Sequence, residues 1–398
     1  MKYVVVRCED GARPSKQIPP LLEVAKVPHL QQLAQSGAVG RIASSDRSRT
    51  ASLNRFELCR GLFGLGPLEA EARPGRCYAA ELNVSLSAEE TAWCCEFVTR
   101  QDDIILDATA GGITTRESRQ LIDALNERCS STGWRWVIGT GSHHLFIAGD
   151  ARLHLHRMPM TSPPESLVGE NWRRALPRGS PGRALEELIE RTTELLNEHP
   201  INAVRVDLGE NPANMTWLWG PARQGREQRF SDRTGLAGAL MSSRFPMHGL
   251  ANVLQLDWMS GPSTFDEAAM QTSFGRLSRL VAHHEFVFWH TRVDSHDPVD
   301  RLCAMERIDR LILKPLTTVH ESSNPWRILV AVDDVRQGIV PLIAAGSDMD
   351  RQPVTQLSTQ QINESPLVFH DAQAVFAWLT ESRSAAMTTA TSIKGASR

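Results

Sequence analysis

The stretch NPANMTWLWG, residues 211–220, decides how the rest of the chain is read. Two tryptophans flank a leucine, behind a turn that holds Pro212 and ahead of Gly220 and Pro221. That combination of rings and turn formers is more specific than core packing alone requires. Upstream, Arg183 to Asn197 has helical spacing, and Ala203-Val204-Arg205-Val206 reads as a strand. Downstream, a helix is expected near Gly235–Met241 and a long one over Thr264–His283. A strand follows at Glu285-Phe286-Val287-Phe288-Trp289, then a helix over Asp300–Leu313. Ile328-Leu329-Val330-Ala331-Val332 is a run suited to a strand buried on both faces.

The N-terminal part completes an α/β pattern. Val4-Val5-Val6 is a strand that ends in Cys8-Glu9-Asp10-Gly11. Leu21 to Gly37 carries apolar residues at helical spacing, Ala38 to Ile42 is a second strand, and Leu53 to Leu62 a helix behind a Ser/Thr-rich cap region. The middle has another texture. Ser85 to Asp107 alternates, Arg116 to Arg128 is amphipathic, and Trp134–Ile138 with His144–Ala148 reads as a strand pair. These patterns predict a core over 1–75 and 201–382, an inserted α+β domain over 76–200, and a disordered Ser/Thr/Ala-rich tail over 383–398.

Bulk properties exclude several classes. A net charge of -3 leaves no electrostatic footprint for nucleic acid or an anionic membrane. No apolar run reaches the roughly 20 residues of a bilayer span. Seven scattered cysteines without a CxxC pair point to reduced thiols, and with no signal-peptide pattern the expected location is the cytoplasm.

Three expected strands end in acidic or histidine residues: Glu9-Asp10, His290 through His296, and Asp333-Asp334. In open α/β sheets ligands gather at such carboxyl ends, and converging carboxylates and imidazoles suit a divalent ion. The competing reading is that these groups cap turns. Thr50 and Ser52 likewise read as helix-cap hydroxyls, a position that also favours phosphate. His154-Leu155-His156 would put two imidazoles on one sheet face, most simply a solvated one.

Set beside its flanking motifs, the stretch resembles the NPAN-x-x-WLWG signature of archaeal-type, cofactor-independent phosphoglycerate mutases of the alkaline phosphatase superfamily. Lys2-Tyr3-Val4 with its acidic-Gly turn is similar to the family's KYV…GDG opening. Leu22-Glu23-Val24-Ala25, Pro28 and Leu33-Ala34-Gln35-Ser36-Gly37 resemble its first helix. Asp107 through Thr115 resembles DYSAGHIST, and Glu306-Arg307-Ile308-Asp309 matches ERID. The similarity is collinear from Met1 to about residue 345. It implies an alkaline phosphatase-like core, a mostly parallel sheet flanked by helices, with an inserted smaller α+β domain. It also implies a serine that two divalent ions activate to carry a phosphoryl group between neighbouring hydroxyls.

At the positions that carry this chemistry the chain departs from the family pattern. The first metal aspartate falls at Glu9 or Asp10. Aligned on Gly61, the nucleophile is Ser52. Aligned on Leu62-Phe63-Gly64, Arg55 takes the position and leaves no nucleophile, and Thr50 is a third possibility. The family's Pro-Pro-His-Asp is Pro163-Pro164-Glu165-Ser166, which sets negative charge against an anionic substrate. A lysine becomes His248, Asp-x-x-x-His shortens to Asp294-Ser295-His296, Asp-His becomes Asp333-Asp334, and a Thr-His-Thr segment is missing before Ile339. A sulfatase-like spacing at Ala51–Gly61 lacks the modifiable cysteine.

The resulting expectation is a phosphoglycerate mutase-like protein whose 3-/2-phosphoglycerate mutase activity is lost or much reduced. Arg55, Arg60, His248 and His296 would form an anion pocket, with Glu165 and Ser166 at the substrate position. The alternative is an active, divergent glycolytic mutase or a phosphatase with Ser52 or Thr50 as nucleophile. The oxygen-rich set Glu9, Asp10, Asp294, Asp333 and Asp334, with His296, would then hold Mn²⁺ or Mg²⁺ rather than Zn²⁺. A small phosphorylated metabolite or a protein is the expected partner.

Overall fold

A computed structural model describes residues 1–10, 21–43, 55–66, 73–130, 133–149, 161–225, 228–293, 295, 297–320, 325–332, 339–349, 351–352 and 354–381. The chain opens with β1 (Lys2–Asp10), α1 (Leu21–Val24), α2 (Pro28–Ser36), β2 (Ala38–Ala43), α3 (Arg55–Leu62) and α4 (Pro74–Glu81). Next come β3 (Thr91–Gln101), β4 (Ile104–Asp107), α5 (Thr115–Arg128), β5 (Trp134–Thr140) and β6 (His143–Ala148). Two 3-10 turns precede α6 (Ser180–Glu198), α7 (Pro200–Asp207) and β7 (Met215–Arg223). Then follow α8 (Phe230–Thr234), β8 (Gly238–Met241), α9 (Met247–Leu254), β9 (Asp257–Met259), α10 (Glu267–His283) and β10 (Phe286–Val293). The last part holds α11 (Pro298–Ile308), a π-helical turn over Asp309–Leu313, α12 (Lys314–His320), β11 (Trp326–Val332) and β12 (Ile339–Gly346). It closes with α13 (Thr359–Glu364), β13 (Val368–Phe369) and α14 (Ala372–Thr380).

The chain divides into two compact units: Met1–Pro67, Arg229–Arg244 and Leu256–Arg398 form one, Leu68–Gln228 and Phe245–Gln255 the other. In the first unit eight strands make one sheet in the order β13-β2-β12-β11-β1-β10-β8-β9. β1 pairs in parallel with both β10 and β11, and β12 alone runs against its neighbours. Alternation sends Val4, Val6 and Cys8 to one face. There they meet Leu30 and Leu33 of α2, Leu277 of α10 and Ile308 of α11. The opposite face carries Phe286 and Phe288, against which Phe63 packs at centroid distances of 5.7 and 4.8 Å.

The ERID residues hold the α2 face together by backbone contacts. Glu306 accepts the Lys26 amide at 2.9 Å, and Asp309 accepts those of Leu30 and His29 at 2.7 and 3.2 Å. Val27, which precedes α2, makes no side-chain cap, so Asp309 supplies one from a distant element. Burial raises the Asp309 carboxyl above its ordinary range.

In the second unit β3 pairs with β4, β6 and β7, and β5 pairs with β6. Trp93, Cys95 and Phe97 face Leu121 and Leu125 of α5 and Leu185 and Leu188 of α6. Cys94 and Val98 face the other way, toward Tyr78, Trp172, Trp217 and Trp219. The signature residues fasten β7 in place. Asn214 bonds the Arg100 backbone through both side-chain polar atoms (2.8 and 3.0 Å), and Asn211 donates to Asp107 at 2.9 Å. Gly220, at φ +58°, sits where an added Cβ would lie 2.7 Å from Pro74.

Two expected elements are corrected. Ala203–Val206, expected as a strand, lies in helix α7: Pro200 occupies its first turn and the His199 ring accepts the Ile201 amide, which outweighs β-branched propensity. The helix expected near Gly235–Met241 is β8, because Gly235 at φ +70° ends α8. The insert boundary differs too, since β7 pairs with β3 and α9 packs on α4, so the second unit reaches Gln228 and takes in Phe245–Gln255. The tail 383–398 lies outside the described residues.

Candidate active site

Four strands of the large sheet deliver the chain to one edge. β1 ends at Asp10, which pairs with Val293 at the end of β10. β11 ends at Val332 beside Cys8, and β2 ends at Ala43. This is the carboxyl edge where ligands bind in such sheets. Of the residues expected there, Ser52, Thr50, Asp294, His296, Asp333 and Asp334 lie outside the described residues, as do the Asp10 and Arg55 side chains. The backbone of Arg55 opens helix α3.

Glu9 is described, and it is 5% exposed. Its Oε1 lies 2.9 Å from Nη2 of Arg7, a fully buried guanidinium two residues earlier on the same sheet face. Nη1 of Arg7 donates to Sγ of Cys59 on α3 at 2.9 Å. His290, opposite Arg7 in the β1–β10 register, places Nε2 3.0 Å from Glu9 Oε1, outside hydrogen-bonding geometry. Its Nδ1 shares a 3.0 Å hydrogen bond with Ser242 Oγ, which accepts the Arg244 amide. Burial holds the imidazole below its ordinary pKa, and Arg7 and Arg244 add to this against Glu9. The ring is therefore neutral at pH 7. Arg60, also fully buried, pairs with Glu57 on its own helix.

Glu9, Cys59 and His290 bring one ligand atom each to within 4.8 Å of one another. Donor types alone would suit a soft divalent ion. Arg7 already balances the charge, however. A cation about 4 Å from a guanidinium costs on the order of 4 kcal/mol per unit charge at an effective dielectric near 20. The described cluster does not fit a divalent metal while Arg7 is in place.

The second unit holds its own polar group. Glu96 on β3, 2% exposed, accepts from the Tyr78 hydroxyl at 2.6 Å and from Trp219 Nε1 at 3.3 Å. His143 Nδ1 lies 2.5 Å from its other oxygen, the imidazole stacked on Phe245 at 5.6 Å. Burial, then the Glu96 charge, puts the Tyr78 phenol well above its ordinary pKa. Glu165 is exposed and Ser166 bonds back to the Pro163 carbonyl at 2.7 Å. His248 is half-buried on α9, but the amides of Gly249 (2.5 Å) and His248 at the start of that helix are taken by the Glu81 carboxylate. A carboxylate thus occupies the helix end that would otherwise receive an anion. His154 and His156 lie outside the described residues.

Arg7 carried a signal in the sequence, a charge among β-branched residues two positions from Glu9. Cys59, Ser242, Glu96 and Tyr78 carried none, because long-range packing brings them together.

Fold and site together define a mostly parallel α/β core with an inserted α+β unit and a polar cluster at the carboxyl edge. The family description "2,3-bisphosphoglycerate-independent phosphoglycerate mutase" matches residues 61–202. The chain is 28% identical over 364 residues to 2,3-bisphosphoglycerate-independent phosphoglycerate mutase 2 of Methanothermobacter thermautotrophicus, covering 87% of this chain and 88% of that one. It is 27% identical over 321 residues to the mutase of Methanosarcina mazei, covering 79% and 80%. The structure of the cofactor-independent phosphoglycerate mutase of Thermoplasma acidophilum superposes at a TM-score of 0.55 with 19% identity, over 96% of this chain and 100% of that one. Over 61–202 the chain thus matches the family model of 2,3-bisphosphoglycerate-independent phosphoglycerate mutases, and over most of its length it is similar to members of that family at 25–28% identity.

Proposed function

We propose that this protein keeps the mutase scaffold and has lost, or nearly lost, the family's 3-/2-phosphoglycerate mutase activity, leaving a binding or regulatory role. The pairing of Glu9 with Arg7 carries this reading. A phosphoryl-transfer centre of this family uses divalent ions to activate the nucleophile and to spread charge over the transferred group. Here the carboxylate at the first ligand position is neutralised by the chain's own cation. The start of α3 at Arg55 and the occupation of the α9 amides by Glu81 support the same reading. Seven free cysteines suit a reducing cytoplasm, and among the described residues no helix is long and apolar enough to cross a membrane.

The alternative is an active mutase or phosphatase that uses Ser52 or Thr50 with Mn²⁺ or Mg²⁺ at Asp10, Asp294, His296, Asp333 and Asp334. It draws support from the topology, since β1, β10 and β11 end at one edge and are followed in sequence by these residues. Conversion of 3- to 2-phosphoglycerate by the full-length chain with added Mn²⁺ decides between them. We expect a rate no higher than that of Ser52→Ala. Turnover that dies in Ser52→Ala would establish the alternative.

A further inference from the structure

We propose that His199 is a proton-operated hinge between α6 and α7. Its neutral imidazole caps α7, and protonation loosens that helix together with the two motif segments it holds. The proposal concerns the second unit alone and stands whether or not mutase activity is lost.

His199 serves two helices at once. Its amide donates to the Leu196 carbonyl at 3.3 Å and ends α6, and its carbonyl accepts the amides of Asn202 and Ala203 at 3.0 and 3.3 Å. Pro200 brings no N–H, so Ile201 carries the first amide of α7, and Nδ1 of His199 accepts it at 3.2 Å. An amide only donates, so Nδ1 offers its lone pair and the ring proton sits on Nε2. Imidazolium would turn an N–H toward that amide and set positive charge at the positive end of the helix. Serine, threonine and asparagine, the usual caps, keep their acceptor at any pH; histidine does not.

What α7 holds makes this cap consequential. Asn202 accepts the Ala213 amide at 2.8 Å and donates to the carbonyls of Ala213 and Leu196 at 2.9 and 2.8 Å. Arg205, 3% exposed, donates to the carbonyls of Asn211 and Ala110 at 3.0 and 2.9 Å. The two side chains thus join α7 to the 211–214 turn and the 107–112 loop, which Asn211 and Asp107 link to each other. The charged groups around the hinge are Glu194 and Glu198 of α6, Asp207 of α7, and Arg205, which pairs with Glu117 of α5 and with Glu210. Burial, rather than any of these charges, lowers the His199 pKa. The neutral cap is therefore complete above the ordinary histidine value near 6.5 and is lost as pH falls below it toward the lowered folded value.

Hydrogen exchange of the full-length chain, read by mass spectrometry at pH 7.5 and 5.0 and corrected for the intrinsic chemical rate, tests the hinge. Protection is taken relative to β3 of the same unit, which absorbs the common effect of His144. In wild type, protection of 200–207, 107–112 and 211–214 is expected to fall about fivefold at pH 5.0, the factor that loss of a cap brings. His199→Asn, which caps without titrating, is expected to keep its protection at both pH values. His199→Ala is expected to be weakly protected at both, and should it fail to fold, wild type and His199→Asn decide between them. Wild-type protection that is unchanged at pH 5.0, or His199→Asn losing it as wild type does, would overturn the proposal. So would a loss confined to 200–207, because the hinge must act on both attached segments.

Discussion

His144 shows what one buried side chain does to this molecule's pH response. It is fully buried beside Phe97, and its Nδ1 accepts the Gly139 amide at 3.1 Å. Burial, then the neighbouring His143, lowers its pKa to about 3. The fold therefore holds the neutral ring, and the unfolded chain takes up the proton first. Its contribution is complete above the ordinary histidine pKa near 6.5 and falls by roughly 1 kcal/mol per pH unit as pH drops toward 3. Urea midpoints of wild type and His144→Asn at pH 7, 6, 5 and 4 should converge on acidification. A constant gap would show that the ring does not titrate this way. The strand alternation places such residues on a face, yet His144 gives no sign in sequence of whether that face meets water or Phe97. Glu9 and Arg7 are different, since two opposite charges two residues apart on a β-branched strand already imply a contact.

At the scale of elements, the motifs most legible in the sequence are those that join backbone to side chain. Asn211 and Asn214 pin β7 to the β3–β4 region, and Glu306 and Asp309 cap the approach to α2. Trp217 donates to the Ser162 carbonyl at 2.8 Å and Trp219 to Glu96, so the paired rings are scaffold as well. These motifs mark ancestry because each side chain answers to a particular backbone group. Where no such group is fixed by local spacing, legibility fails: the valines of α7 read as strand residues, although Val204 and Val206 are 55% and 58% exposed. The α4–α9 crossing has the same character. A Cβ on Gly249 would lie 1.9 Å from the Cys77 carbonyl and 2.7 Å from the Glu81 amide. Gly→Ala inside a helix normally gains about 1 kcal/mol. Here the backbone of α4 must move, and Gly249→Ala is expected to lose more than that gain and lower the melting temperature. A stabilised variant would show that the two helices lie farther apart.

Across the whole molecule, the proposed reading separates the scaffold from its chemistry. The α/β core and the inserted unit follow from strand and helix periodicity, and the observed unit boundary follows from two long-range contacts, β7 on β3 and α9 on α4. The candidate site was less legible, because its described members are assembled from β1, β10, α3 and the residue after β8. Of these members Glu9 and His290 were legible as strand-end groups at that edge, and Arg7 changes what the Glu9 carboxylate can do. The proposed loss of activity goes with the absence of a divalent-metal centre. The account therefore turns on elemental analysis of the full-length chain, purified without chelators and passed through gel filtration. It predicts Mn, Mg and Zn each far below one per chain in a protein that is folded. One or two tightly retained ions per chain would contradict it, and would show that an ion shares the edge of the sheet with Arg7.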